Sequence, residues 1–123
     1  MPHRILVVDD VPDACEVLAR LLRVCGFEVG TANHGAHALD LLDGFAPEVV
    51  ILDLNMPVMD GYGFLEAVRK LPTWNRVRVI VFTADHKYDA ARLERLGVVK
   101  VCRKACTPFQ TLMEEVSNCL GPA

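Results

Sequence analysis

Three aspartates, a threonine and a lysine stand where apolar runs of this 123-residue chain stop. Asp9-Asp10 closes Ile5-Leu6-Val7-Val8, Asp53 closes Val49-Val50-Ile51-Leu52, Thr83 closes Val79 to Phe82, and Lys104 follows Val98 to Cys102. Carboxylates brought within a few ångströms raise one another's pKa values, so they must share protons or hold a cation. Oxygen ligands without histidine or thiolate select Mg²⁺ over zinc. The Lys104 ammonium, the Thr83 hydroxyl and the backbone N–H beside the small Ala84 side chain suit an anion on the remaining side. Metal, lysine and hydroxyl around one carboxylate make a phosphoryl site, in which positioning and charge neutralisation do nearly all the catalytic work.

Each residue alone has an ordinary reading. Asp9-Asp10 is an acidic pair of the kind favoured at a helix N-terminus, Asp53 a strand-end turn residue, Thr83 a β-position and Lys104 a solvated charge. Only their convergence makes the chemistry, so the elements that carry them decide the matter.

Arg4 to Val8 reads as a buried strand, and the all-apolar Val49–Leu52 run as a strand buried on both faces. Phe27 to Asn33 is a weaker strand interrupted by Gly30, Arg78 to Phe82 a fourth, and Val98 to Cys102 a fifth. Helical patterns lie between them. One starts at Pro12, with Val17, Leu18, Leu21, Leu22 and Val24-Cys25 as its apolar stripe and Gly26 as its stop. Others span about 35–43, 61–71 and 86–96, the last ended by Gly97. The final helix opens on Thr107-Pro108-Phe109-Gln110, a capping-box pattern, and runs to Leu120, with Gly121-Pro122 as its stop. Asp60-Gly61 and Pro57 are turn geometry, and Trp74 is a partial lid on the core.

Strict strand–helix alternation with short connections predicts a single α/β domain over residues 1–123. Its five parallel strands form a doubly wound, flavodoxin-like sheet with helices on both faces. In such a sheet every strand ends at the same edge. The second run ends uncharged, in Thr31-Ala32-Asn33, and belongs at the sheet margin. The order 2-1-3-4-5 then puts the aspartates at the crevice between the first and third strands, where doubly wound sheets bind ligands.

Composition narrows the class further. A net charge of −3 gives no case for direct nucleic-acid binding or an anionic membrane surface. No run is long enough to span a bilayer, and Met1 to Arg4 leads into a strand without the layout of a signal peptide. Five cysteines without a C-x-x-C pair read as free thiols in a reducing cytoplasm, with Cys15, Cys25 and Cys119 as small buried hydrophobes. His3, His34, His37 and His86 read as solvated surface groups.

Together I-L-V-V-D-D (5–10), P-E-V-V-I-L-D-L-N-M-P-V-M-D-G (47–61), V-I-V-F-T-A (79–84) and Lys104 resemble the receiver domain of bacterial response regulators over essentially the whole chain. The resemblance implies that Asp53 is the phosphoacceptor, taking its phosphoryl group from a phosphohistidine on a sensor histidine kinase or histidine phosphotransfer protein. It implies Mg²⁺ held by Asp10, by Asp9 largely through water, by Asp53 and by the Asn55 carbonyl. Thr83, the Ala84 N–H and Lys104 would hold the phosphoryl group. Asn55 and Asp85 are similar to positions that tune dephosphorylation. The module would catalyse only its own phosphorylation and dephosphorylation, and would signal by a conformational shift on the face of the fourth helix, fifth strand and fifth helix. Phosphorylation-dependent dimerisation is one readout left open. Two positions depart from the pattern: Ala105 follows the lysine where receivers usually carry proline, and Val101 stands where an aromatic is common.

Competing readings are an unphosphorylated pseudo-receiver scaffold, an aspartate-nucleophile phosphatase of the haloacid-dehalogenase type, and a flavin module. Asn55 in place of a second aspartate and the absence of an inserted cap count against the phosphatase. The Asp9-Asp10 pair counts against a flavin phosphate loop. With no output domain after the last helix, a stand-alone receiver and a piece of a larger regulator are both expected.

Overall fold

The computed structural model of the chain describes residues 2–121. Met1, Pro122 and Ala123 lie outside it, and with them the expected Pro122 stop and the first residue of the Met1–Arg4 reading. The elements are β1 (Arg4–Val8), α1 (Pro12–Val24), β2 (Glu28–Ala32), α2 (Gly35–Phe45), β3 (Val49–Leu52), α3 (Gly61–Arg69), β4 (Arg78–Thr83), α4 (Ala90–Arg95), β5 (Lys100–Arg103) and α5 (Phe109–Leu120). The five strands pair in parallel in the order β2-β1-β3-β4-β5. Fold class and strand order are therefore those the sequence predicts.

Strand residues alternate between two packed layers, because successive side chains point to opposite faces. Ile5, Val7 and Ile51 pack with Leu18 and Leu22 of α1 and with Leu112 and Val116 of α5. Leu6, Val8, Val50 and Leu52 pack with Leu42 of α2, Phe64 and Leu65 of α3 and Leu93 of α4. Each large apolar side chain fully removed from water contributes roughly 1.5–3 kcal/mol. Covering β1 and β3 on both faces makes them the rigid centre of the domain. Trp74 is a half-buried cover on the second layer, as expected, and its Nε1–H donates to Asp43 at 2.8 Å.

Local chemistry moves several boundaries. The apolar stripe of α1 is narrower than expected: Cys15, Leu18, Ala19 and Leu22 are buried, whereas Val17, Leu21 and Val24 face outward, Val24 being 86% exposed. At 3.6 residues per turn, 15, 18, 19 and 22 share one face, and 17, 21 and 24 fall on its neighbour. The helix expected over 86–96 begins only at Ala90. Before it, the Asp85 carboxylate accepts from Lys87 N–H and Asp89 caps Arg92 N–H, which is how short acidic side chains compete with helix. β5 starts at Lys100 rather than Val98, because Val98 N–H is taken by the Leu93 carbonyl at the end of α4. No capping box forms at Thr107 and Gln110: α5 starts at Phe109, with Pro108 as N-cap and no side-chain cap bond. α2 continues through Gly44 to a left-handed Ala46, α3 stops at Arg69, and β2 excludes Phe27 and Asn33. His34 is not merely solvated: its Nδ1 accepts from His37 N–H and caps α2.

Cys25 and Cys106 are exposed; Cys15, Cys102 and Cys119 are buried. Cys25 is thus not the buried hydrophobe expected, since it follows the last helical residue of α1. Burial, with the Asp9 charge adding to it, pushes the Cys15 thiol up to about 11. Burial likewise raises Cys102 and Cys119. Thiolate is the reactive form, so a thiol reagent should label Cys25 and Cys106 rapidly on the native protein, and the other cysteines only after denaturant. Prompt labelling of all five under native conditions would contradict this packing.

Candidate functional site

Sheet register alone places the first two functional residues side by side. Val8 is opposite Leu52, so the next residues, Asp9 and Asp53, leave adjacent strands together. Their backbones stay tied there: Asp53 N–H donates to the Val8 carbonyl at 2.9 Å, and Asp9 N–H to Ala32 at 3.0 Å. On the other side Thr83 is opposite Arg103, and Lys104 N–H donates to the Thr83 carbonyl at 2.8 Å. The sheet thus brings Asp9, Asp10, Asp53, Thr83 and Lys104 to one edge.

Side-chain geometry closes the group. One oxygen each from Asp9, Asp10 and Asp53 lies within 4.8 Å of the others. Lys104 Nζ donates to Asp9 Oδ2 at 2.6 Å and reaches Asp53 Oδ2 at 3.5 Å. Thr83 Oγ1 donates to Asp53 Oδ1 at 3.0 Å and accepts from Asp85 N–H at 3.1 Å. Asn55 N–H approaches Asp53 Oδ1 at 3.4 Å, and Val11 N–H donates to Asp9 Oδ1 at 3.0 Å. Asp9 and Asp53 are each 6% exposed and Thr83 is fully buried, while Asp10 is half-buried. Ala84 and Asn55 are exposed at the mouth.

Burial pushes the Asp53 carboxyl above its ordinary range and the Asp9 charge adds to this, although the Lys104 ammonium and the Thr83 hydroxyl pull the other way. For Lys104, burial favours the neutral amine. The hydrogen bond to Asp9 and the charges of Asp53 and Asp9 outweigh it, so its pKa is raised. One ammonium thus faces three carboxylates, and the cluster keeps a net negative charge. The donor set is all oxygen, with no nitrogen or sulfur ligand, which fits a hard divalent cation.

The loop after β3 is held by contacts that sequence patterns do not show. Asp60 caps α3 by accepting from Gly63 N–H at 2.8 Å, and the Met59 carbonyl accepts from Gly35 N–H at 3.0 Å. A Cβ at Gly61 would lie 2.6 Å from the Asp53 carbonyl oxygen and 2.8 Å from Leu54 Cα. Both neighbours are backbone and cannot rotate away. Gly61→Ala should therefore destabilise the protein by about 1–3 kcal/mol, the usual cost of overpacking, read by urea unfolding. An unchanged midpoint would show that the loop yields freely.

The Lys104–Ala105 peptide is trans; no cis bond occurs among the described residues. Val101 is half-buried and lines a shallow hollow with Tyr88 and Leu93. Beyond Thr83 the loop reaches α3: Asp89 N–H donates to the Tyr62 hydroxyl at 2.8 Å, Arg92 sits 4.7 Å over the Tyr62 ring, and Arg92 pairs with Glu66. Spacing could not have disclosed this link, because it joins side chains from separate elements.

A doubly wound 2-1-3-4-5 sheet with an acidic, lysine-bearing carboxyl edge is a flavodoxin-like α/β domain. The model of the response regulator receiver domain matches residues 5–117. The chain is 35% identical over 120 residues to the Regulator of RpoS of Escherichia coli K12, covering 98% of this chain and 35% of that protein. It is 44% identical over 86 residues to the transcriptional regulatory protein PrrA of Mycobacterium tuberculosis, covering 70% of this chain and 36% of that one. The fold superimposes with a TM-score of 0.83 on TrrA of Thermotoga maritima, a response regulator solved in complex with Mg²⁺-BeF. The two chains are 32% identical, with 95% and 98% coverage. The chain belongs to the response regulator receiver domains of two-component signalling. It spans about a third of the length of these curated relatives. Among the described residues no helix is long and apolar enough to cross a membrane.

Proposed function

We propose that this domain accepts a phosphoryl group on Asp53 from a phosphohistidine of a sensor histidine kinase or histidine phosphotransfer protein. The observation that carries the reading is the convergence on Asp53 of Thr83 Oγ1, Lys104 Nζ and the Asp9–Asp10 pair. An Asp53 oxygen attacks phosphorus, the P–N bond breaks, and its electron pair returns to the imidazole ring. The Thr83 hydroxyl donates a hydrogen bond to a phosphoryl oxygen, the Ala84 N–H offers a second donor, and Lys104 supplies fixed positive charge. Donors and charges held in place before the reaction are what this chemistry needs.

Asp9, Asp10, Asp53 and the Asn55 carbonyl would hold Mg²⁺, which when bound neutralises charge on the phosphoryl oxygens. The TrrA structure, in complex with Mg²⁺-BeF, supports this choice of ion. Acid–base help from the protein is not required, because the Asp53 carboxylate is already a competent nucleophile once ionised.

The test is intact mass after incubation with acetyl phosphate, with and without Mg²⁺. One phosphoryl group gained only with Mg²⁺ is the expected result. No gain, combined with no Mg²⁺ binding by calorimetry, would overturn the reading and favour an unphosphorylated scaffold.

A further inference from the structure

At the opposite end of the sheet from Asp53 lies an open basin of about 510 Å³, to which Arg69, Arg76, Arg78 and Arg95 all contribute. Val77 and Leu96 are among its apolar lining, and among the described residues no carboxylate lines it. The four guanidinium groups come from three places: the end of α3, the segment entering β4, and the end of α4. β4 carries Arg78 at its first residue and Thr83 at its last. At about 3.3 Å per residue, the basin is roughly 16 Å from the acidic edge.

Most arginines elsewhere on the chain are paired. Arg4, Arg20, Arg23 and Arg92 each lie against a glutamate, and Arg103, outside the basin, stands alone without an ion pair among the described residues. Arg76, Arg78 and Arg95 make no ion pair among the described residues. Arg69 is half-buried and donates to the backbone carbonyls of Leu96, Val77, Asn75 and Gly97. Those bonds take up four of its five N–H donors, so Arg69 adds positive charge to the basin, and the forks left for a ligand are those of Arg76, Arg78 and Arg95. In a protein of net charge −3, four positive charges around one concavity are a local field of the wrong sign for the whole.

We propose that this basin binds a small anion carrying two or more linked phosphates, about the size of a nucleoside diphosphate. A volume of this size is that of a small-molecule site. Arginines from three elements line one hollow rather than a stripe, as an extended acidic peptide would need, and no carboxylate among the described residues occupies the forks of Arg76, Arg78 and Arg95. Planar forks that match phosphate oxygens, set around a small space, suit dense multiple charge better than a single carboxylate. The apolar lining at Val77 and Leu96 suits a base or sugar face, and free and nucleotide-borne phosphates are distinguished by the experiment below.

The test uses the whole chain in EDTA, so that the acidic edge cannot bind phosphates through Mg²⁺. Inorganic tripolyphosphate, ADP and a glutamate hexapeptide are each titrated by calorimetry. Tripolyphosphate or ADP should bind with a Kd below ~1 mM, and Arg76→Ala/Arg95→Ala should weaken this about tenfold or more. Tighter binding of ADP identifies a nucleotide; equal binding identifies the phosphate chain alone. The double variant should keep the far-UV circular dichroism spectrum and urea midpoint of the wild type, which shows that it is folded whatever happens at Asp53. Binding of neither phosphate compound, binding unchanged in the double variant, or binding of the peptide alone would overturn the proposal. Failure of phosphorylation at Asp53 would leave it standing, since the two sites share no residue.

Discussion

Asp53→Asn should abolish Mg²⁺-dependent phosphoryl uptake and, in metal-free buffer, make the protein more stable. The amide keeps the shape of the carboxylate and can still accept from Thr83, but it has no anionic oxygen to attack phosphorus. The stability gain follows from linkage. Burial first, and then the Asp9 charge, raise the Asp53 carboxyl above its unfolded value. Between those two values the native state binds more protons than the unfolded state, so stability falls as pH rises through that window. At neutral pH the whole penalty is present, and the amide removes it. Relief of a crowded buried charge should be worth roughly 1 kcal/mol. Urea unfolding of both proteins at neutral pH and at a pH below the carboxylate range checks this. The variant should lead in the first and lose its advantage in the second. A phosphoryl group still gained by the variant would mean that the nucleophile lies elsewhere.

Lys104→Met should have the opposite effect on stability and also impair the chemistry. Its ammonium is the shared counter-charge of Asp9 and Asp53, at 2.6 and 3.5 Å, and its side chain is 23% exposed. Removing one partner of a buried pair leaves uncompensated charge and costs 3–5 kcal/mol; partial exposure reduces this to about 2 kcal/mol. Burial lowers the lysine pKa, but the Asp9 hydrogen bond and the two carboxylate charges raise it further, leaving the folded value above the unfolded one. Its contribution is therefore fully present below the unfolded pKa and is lost as pH rises through the folded one. The gap between wild type and variant should narrow in strong alkali. Loss of a fixed charge at the transferring group should slow phosphoryl uptake about 10²–10³-fold. A variant that takes up phosphate at the wild-type rate would remove Lys104 from the site.

What could be read in the sequence, and what could not, divides along physical lines. Val49 to Leu52 could be read as a central strand because a segment buried on both faces needs four apolar residues in a row. The same logic marked Arg4–Val8 and Arg78–Phe82, and with them the sheet order and the edge where Asp9, Asp53, Thr83 and Lys104 meet. Boundaries failed where short polar side chains compete with backbone pairing. Asp85 and Asp89 withhold Lys87 from α4, and the α4 end withholds Val98 from β5. The outward Val17, Leu21 and Val24 failed for a different reason: an apolar residue one helical step off the stripe looks the same in a sequence as one on it. Gly61 read as a turn residue, but the reason no side chain fits there is the Asp53 carbonyl eight residues earlier. The Tyr62–Asp89 and Glu66–Arg92 contacts carry no local signature.

Thr83 has one consequence for signalling that follows from counting protons. A hydroxyl has a single proton, and here it points at Asp53 while a lone pair holds Asp85 N–H. Asp85 in turn holds Lys87 N–H, and two residues later Asp89 N–H rests on Tyr62 of α3, beside the Arg92–Glu66 pair. The segment is thus tied at alternate residues, Asp85, Lys87 and Asp89. A phosphoryl group on Asp53 that took this hydrogen bond would bear directly on the tie between Thr83 and Asp85. Such a change would reach the corner where Asp89 meets Tyr62 of α3, and a partner that reads it would contact that corner.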